Sequence, residues 1–490
     1  MKRARTAALL GPLLAAGCAG PGGSGIEQPG GFRVSVTEVD GKTPPTPEEP
    51  LAANTGDRQE SWRFAIEALD GSGAVDASFA GLVRVSVEPG AVLRVLDPES
   101  KRPPDRNLAV AAGRAEAEVS VTAVFGPSRL WVQDLGYEPA SPGLTPACAN
   151  GVDDDGDGLT DYPADPGCAF ADDMGEQGST LRTGVSPPVA YALPAIADVQ
   201  GRSSETPYPS VAVEVLAGEP HYLVVTRVSS SGFFVTDLHD PDEQGYNHLF
   251  AYNFNTPENM RICDRLTYLA GTAAEFFGFT ELSFPSYVIE PIYEPKDCRV
   301  PEPVVLDGAT IDDEAQMERL EAGLVRVEGY AVSPYFGPEP AELVSMEPEP
   351  TFKFAATRSS CDLNGDGVVD YYSQLEGACS EQCAKDPQCS EWSAYAERGN
   401  YKVFQNLRKI LVNTSTAGGF DPPGHRGKAL VAVTGTLRHF SGGDLNWTIE
   451  TRCGEDLVCD ADDACAPKVI AANAACVVPR TKEDNEAATN

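Results

Sequence analysis

Apolar and polar residues alternate with a period of two through much of the chain. Residues 32–39 form the first such run, and after a loop marked by Pro44, Pro45, Pro47 and Pro50 the alternation resumes. Trp62, Phe64, Ile66 and Ala68 share one face of a second run, Val83, Val85 and Val87 one face of a third, and Val119, Val121 and Ala123 one face of a fourth. A strand sends successive side chains to opposite faces, so each run predicts a strand with one face in a core and one in water. The turn signals Asp70-Gly71, Glu88-Pro89-Gly90 and Gly126-Pro127 lie between them. A second group of strands is predicted at 211–215, 222–228, 232–237, 249–254 and 265–282. A third begins with an amphipathic helix at 311–320 and a strand at 323–329, resumes at Tyr401 and finishes near Glu450. Few helices are expected, because 40 Pro and 47 Gly interrupt the 490 residues too often.

The first group resembles a bacterial immunoglobulin-like domain, which implies a two-sheet sandwich over 31–140. It has no inter-sheet disulfide, since no Cys falls between Cys18 and Cys148. Five strands of the second group suffice for a small barrel. Gly232-Phe233-Phe234-Val235-Thr236-Asp237, followed by Gly271-Thr272-Ala273-Ala274-Glu275-Phe276-Phe277-Gly278, resembles the OB-fold modules found beside the catalytic domains of extracellular bacterial nucleases. Aligning Gly271-Thr272 with Gly435-Thr436 also superposes Leu266 on Leu430, Phe276 on Phe440 and Gly278 on Gly442, so a second OB-like unit repeats the first. The expected fold class is all-β and multidomain: an immunoglobulin-like sandwich followed by two OB-like barrels, with small disulfide-clipped calcium loops and few short helices. The predicted division is a signal at 1–17, a tether at 18–30, the sandwich at 31–140, an acidic loop unit at 146–178 and a linker at 179–210. Barrels follow at 211–300 and 301–452, the second with an insertion near 350–398, and a Cys-rich segment with a polar tail closes the chain at 453–490.

Lys2, Arg3 and Arg5 precede a short apolar stretch that ends in Leu13-Leu14-Ala15-Ala16-Gly17-Cys18. This resembles a bacterial lipoprotein signal, which implies lipidation of Cys18 and an anchor in the cell envelope; Ala19 in the next position implies the outer membrane. The Gly-rich stretch 19–25 reads as a flexible tether. With 73 acidic against 37 basic residues the formal charge is -36, which sets a repulsive field against duplex nucleic acid. The expected partners are the membrane, through the anchor, and an extracellular protein or glycan.

Of the 13 cysteines, Cys18 is assigned to lipid and an even number remains for an oxidising compartment. The expected pairs are Cys148 with Cys168 and Cys263 with Cys298, each alone in its unit, and Cys361 with Cys379 is preferred in the insertion. Cys453, Cys459, Cys465 and Cys476 form a closing cluster of open connectivity.

Two motifs carry the clearest chemistry. One is D-x-D-x-D-G-x-x-D at Asp153, Asp155, Asp157 and Asp161; the other is D-x-N-x-D-G-x-x-D at Asp362, Asn364, Asp366 and Asp370. Ca²⁺ takes six to eight hard oxygens, and alternate residues of such a loop turn theirs to one centre, with the carbonyls of Leu159 and Val368 at position 7. The loops resemble those of thrombospondin type 3 repeats and dockerins, which implies two structural Ca²⁺ sites. Position 12 holds Ala164 or Ser373 and not the Glu of an EF-hand, leaving Asp165 or water to complete the first shell.

The sequence carries no H-E-x-x-H, G-x-S-x-G, Walker loop or helix-opening G-x-G-x-x-G, so no catalytic residue is assigned. One local strip departs from the acidic average: Arg398, Lys402, Arg408, Lys409, Arg426, Lys428 and Arg438 face Asp421 alone, with Tyr401 among them. It is the candidate ligand face, since OB folds bind single strands or sugars on basic, aromatic strands. The expected function is a calcium-stabilised, lipid-anchored, non-catalytic binding or adhesion module. The alternatives are a component acting on extracellular nucleic acid or phosphoester, and an oligonucleotide- or glycan-binding OB protein.

Overall fold

The computed structural model describes residues 30–56, 58–96, 106–178, 181–239, 245–333, 395, 398–406, 408–439, 447–460 and 475–480. The architecture is all-β and multidomain. The first unit is a sandwich. One sheet contains β1 (Gly31–Val39), β2 (Glu60–Leu69), β6 (Arg114–Thr122) and β4 (Ala91–Leu96), in that order; the other contains β5 (Asn107–Val110), β3 (Gly81–Glu88), β7 (Pro127–Asp134) and β8 (Gly184–Val185), with β9 (Val189–Ala190) also on β7. The alternating residues read from sequence point inward: Trp62, Phe64, Ile66, Val83, Val85, Val87, Val119 and Val121 all lie in one core.

The sandwich does not end at 140. Residues 179–210, expected as a linker, carry β8, β9 and the helix α1 (Ile196–Gln200). Tyr191, just after β9, accepts from buried Trp62 Nε1 at 3.1 Å and donates to Glu60 at 2.6 Å. The acidic unit is thus inserted between two strands of one sheet. Asp134 closes the neck, accepting from Gly136 N and Leu181 N. Gly136 (φ 73°) is needed there, because a Cβ would stand 2.1 Å from the Gly178 carbonyl carbon.

The next unit contains β10 (Ala212–Glu214), β11 (Leu223–Ser229), β12 (Gly232–Asp237), β13 (His248–Tyr252), β14 (Arg265–Glu275) and β15 (Thr280–Glu290). β11 pairs with β12, β12 with β13, β13 with β15 in parallel, β15 with β14, and β14 again with β11. Counted in chain order from β11, the barrel closes as 1-2-3-5-4-1 with strands 3 and 5 parallel, and the OB-like reading rests on that order. Residues 265–282, expected as one strand, are a hairpin. Phe277 (φ 55°) and Gly278 (φ 74°) are both left-handed, as a two-residue primed turn requires, and Phe276 and Phe279 exchange backbone hydrogen bonds across it.

The second barrel repeats this order. β16 (Val304–Val305) leads into α2 (Gly308–Ile311), α3 (Glu314–Arg319), β17 (Leu324–Glu328), β18 (Ala331–Val332), β19 (Asn400–Gln405), β20 (Arg408–Asn413), β21 (Ala432–His439), β22 (Trp447–Glu450) and β23 (Leu457–Val458). β17 and β18 are two halves of strand 1: the first pairs with strand 4 (β21) and the second with strand 2 (β19), while β20 and β22 are parallel. Gly271 and Gly435, matched in sequence, both lie in strand 4 of their barrels. The predicted helix 311–320 is two short ones, because Asp313 accepts from Ala315 N and Gln316 N and starts a new helix in mid-run. No described helix is long and apolar enough to cross a membrane.

Candidate functional site

The acidic unit gathers carboxylates round two tight turns at Gly156 (φ 81°) and Gly158 (φ 95°). Asp153 accepts from Gly156 N at 2.7 Å and Gly158 N at 3.0 Å, Asp155 from Asp157 N, and Asp157 from Leu159 N. These bonds fold the loop inward, and one oxygen each of Asp153, Asp155 and Asp157 lies within 4.8 Å of the others. Asp155 belongs also to a second such trio, with Asp165 and Glu176. Both of those are buried, and Asp165 Oδ2 has no hydrogen-bond partner. Asp161, expected as a ligand, turns its two oxygens to Asn150 N and Gly151 N and stands outside both trios. Glu176 was not singled out in the sequence; its place comes from the chain's return, where it also accepts from Asp154 N and Asp161 N. Five carboxylates around a shared corner, all hard oxygen, suit Ca²⁺ and not a thiophilic metal.

Cys148 and Cys168 are bonded across this unit (Cα–Cα 5.7 Å), Cys263 is bonded to Cys298, and Cys453 to Cys476. Cys18, the Cys361–Cys379 pair and the second motif, with Asp362, Asn364, Asp366, Val368 and Asp370, lie outside the described residues.

OB folds bind ligands on the outer face of strands 2 and 3. In the first barrel that face pairs Phe234 with Phe250 and Thr236 with His248, and all four are buried. The second barrel covers it. Ala322 packs on Phe234, Phe250 and Phe279, Arg438 sits 5.4 Å over the rings of Phe250 and Phe279, and His439 Nδ1 lies 2.9 Å from the Gly278 carbonyl. Burial keeps His248 neutral, its pKa pulled down to about 4.

In the second barrel the same face pairs Lys402 with Leu411 and Phe404 with Lys409, while Val403, Ile410 and Val412 point into the core. The candidate basic strip therefore divides. Lys402 and Lys409 lie on the outer face. Tyr401 is a core residue, its hydroxyl 3.2 Å from Thr414 Oγ1, because alternation places it opposite Lys402. Arg438 is taken up at the barrel junction, and Arg408 pairs with Asp312 at 2.7 Å. Arg398 is exposed just before β19, and Arg426 and Lys428 belong to the connection that hydrogen-bonds Val332.

A polar cluster stands at the edge of the first barrel. Asp237 accepts backbone bonds from Tyr222 and His239 and lies 2.6 Å from His221 Nδ1; the rings of His221 and His239 are 4.1 Å apart. Asp237 and His239 stand close in sequence, whereas His221 arrives from just ahead of the neighbouring β11.

No protein-family model matches the chain. None of the curated proteins matches it. Among solved structures it is similar to the major pilin subunit of Bacillus cereus, at 7% identity over 53% of this chain and 66% of the pilin, with a TM-score of 0.16. It is also similar to dimeric latent PorU from Porphyromonas gingivalis, at 10% identity over 52% of this chain and 29% of PorU, with a TM-score of 0.15. The fold assignment accordingly rests on this chain's own strand order.

Proposed function

We propose that this protein is a lipid-anchored, calcium-stapled, non-catalytic binding module of the bacterial cell envelope that takes an extracellular glycan on its second barrel. The observation that carries this reading is the contrast between the two barrels. The ligand face of the first is spent on holding the second, while the matching face of the second carries Lys402, Phe404, Lys409 and Leu411 outward from the core. Two ammonium groups beside an aromatic ring suit an acidic sugar chain, with cations for carboxylates or sulfates and the ring for the sugar's apolar side. Binding of an acidic polysaccharide by the full chain should weaken about tenfold or more for each of Lys402→Ala and Lys409→Ala, since a charged hydrogen bond contributes roughly 1.5–3 kcal/mol. It should also weaken with added salt. Parent and variants binding alike, or not at all across acidic and neutral glycans, would remove the reading.

In the same reading Asp153, Asp155, Asp157, Asp165 and Glu176 hold one Ca²⁺ that fixes the inserted unit. At calcium near ten times Kd, binding to the folded state alone contributes about 1.4 kcal/mol. A chelator is expected to open 150–161 to proteolysis while the barrels persist. Asp155→Asn, which changes the corner common to both trios, should reproduce that pattern in the presence of calcium; an unaltered digest would count against the site. A second reading, a component acting on phosphoesters, is favoured only by the His221–Asp237 pair, which has the form of an oriented general base.

A further inference from the structure

The junction of the two barrels holds another group of acids. Glu275 ends β14, Glu318 lies in α3, Glu321 follows it, and Gln200 closes α1. Glu321 is 0% exposed and Gln200 1%. Donors fix Glu275 and Glu321 from one side only. Thr280 bridges two of them, its N donating to Glu321 Oε1 at 3.0 Å and its Oγ1 to Glu275 Oε1 at 2.6 Å. Thr206 N also donates to Glu275 Oε1, and Gln200 Nε2 to Glu321 Oε1. The remaining oxygens Glu275 Oε2, Glu321 Oε2, Glu318 Oε1 and Gln200 Oε1 are buried without a hydrogen-bond partner.

As ionised carboxylates and an amide oxygen, all four bare atoms are acceptors, and a proton or a cation is needed to complete them. Burial, with the neighbouring carboxylates adding to it, pushes Glu318 up to about 7 and Glu321 well above the usual carboxylate range. Desolvated like charges of this kind are costly unless a cation joins them. Hydrogen bonds that hold one carboxylate oxygen and leave the other bare are how outer donors orient metal ligands. Three carboxylates and an amide carbonyl are hard-oxygen donors of the kind Ca²⁺ accepts. We propose that this junction is a Ca²⁺ site with Glu275, Glu318, Glu321 and the Gln200 amide oxygen as ligands, and that the ion fastens the second barrel to the first. Unlike those of the acidic unit, these carboxylates do not form a trio within 4.8 Å, so the ion draws them inward as it binds.

The test uses the full chain and its Glu321→Gln and Glu318→Gln variants, in chelator and in Ca²⁺ at about 1 mM, the range of extracellular sites. Glutamine keeps the shape and the acceptor at Oε1 but removes a charge. In calcium the parent should bind one more ion per chain than Glu321→Gln and melt at least about 2–4 °C above it. In chelator the order should reverse, because the variant lacks one of the repelling charges. Glu318→Gln should show the same crossover with Glu321 intact, which guards against a folding defect at the more buried position. Equal calcium stoichiometry in parent and variants, or variants that melt at or above the parent in calcium, would mean that protons or water complete the cluster and would overturn the site.

Discussion

Replacing Glu450 with alanine is expected to cost about 3–5 kcal/mol, the range for leaving a buried charge without its partner. Glu450 accepts from Arg227 Nη1 of the first barrel and stands 3.8 Å from Arg438 Nη1 of the second. Its side chain is 14% exposed, those of the arginines 11% and 22%. Without the carboxylate, two poorly hydrated guanidiniums face each other, held by rings and by one bond from Arg227 Nη1 to Thr436 Oγ1: Arg227 lies 5.1 Å from the Phe234 centroid, and Arg438 lies over Phe250 and Phe279. The loss falls on the contact between barrels and not on either core, so scanning calorimetry should show their melting separate into two transitions. Glu450→Gln, which keeps an acceptor for Arg227, should lose less. A single transition within about 0.5 kcal/mol of the parent, the scale of an ordinary surface substitution, would show that apolar packing alone joins them.

Arg480→Ala should cost a similar amount by a different route, about 3–5 kcal/mol. Arg480 Nη2 donates to Asp264 Oδ2 at 2.8 Å, and the two side chains are 3% and 1% exposed. Asp264 also accepts from Arg261 N and Ile292 N, so it ties the β13–β14 connection to the end of β15. The pair docks the C-terminal segment, clipped by Cys453–Cys476, onto the first barrel. Burial raises the Asp264 carboxyl above its ordinary value, with Arg480 among the groups opposing the rise. A carboxyl whose folded pKa is raised costs nothing while both states are protonated, and the cost grows as pH climbs through the window between the two values. Removing Arg480 widens that window upward, so the variant's deficit should be largest at neutral pH and shrink toward the ordinary carboxylate range. Urea melts at neutral and acid pH measure this directly, and the double variant Asp264→Asn/Arg480→Met should recover most of the loss. A deficit that does not change with pH would assign the effect to packing.

What could be read in the sequence was set by near neighbours. Period-two alternation located Trp62, Phe64 and Ile66 in the core, because each side chain's face follows from its neighbours along one strand. The repeat of Gly271-Thr272 at Gly435-Thr436 marked strand 4 of two like barrels, and a lone cysteine pair per unit located Cys148–Cys168 and Cys263–Cys298. The same alternation, applied strictly, would have sent Tyr401 inward with Val403 and left Lys402 outside. Composition drew all of them into one basic strip.

The rest depended on which distant segments meet. Nothing local marks 184–190 as the strands that complete the sandwich, since two-residue strands carry too few side chains for a pattern. The spacing of the acidic motif brought Asp153, Asp155 and Asp157 together, but the hydrogen bonds of Asn150 and Gly151 drew Asp161 away and the returning chain brought Glu176 in. The sequence by itself determined the long strands of the sandwich, the Cys148–Cys168 and Cys263–Cys298 pairs and the acidic turn, because those follow from the period of the backbone and from contacts within one unit. Only the tertiary structure decided that the first barrel's aromatic face is sealed, that Lys402 and Lys409 share the outer face of the second, and that Glu275, Glu318 and Glu321 meet at the junction. Each of those depends on how one closed barrel packs against another, which strand periodicity does not encode.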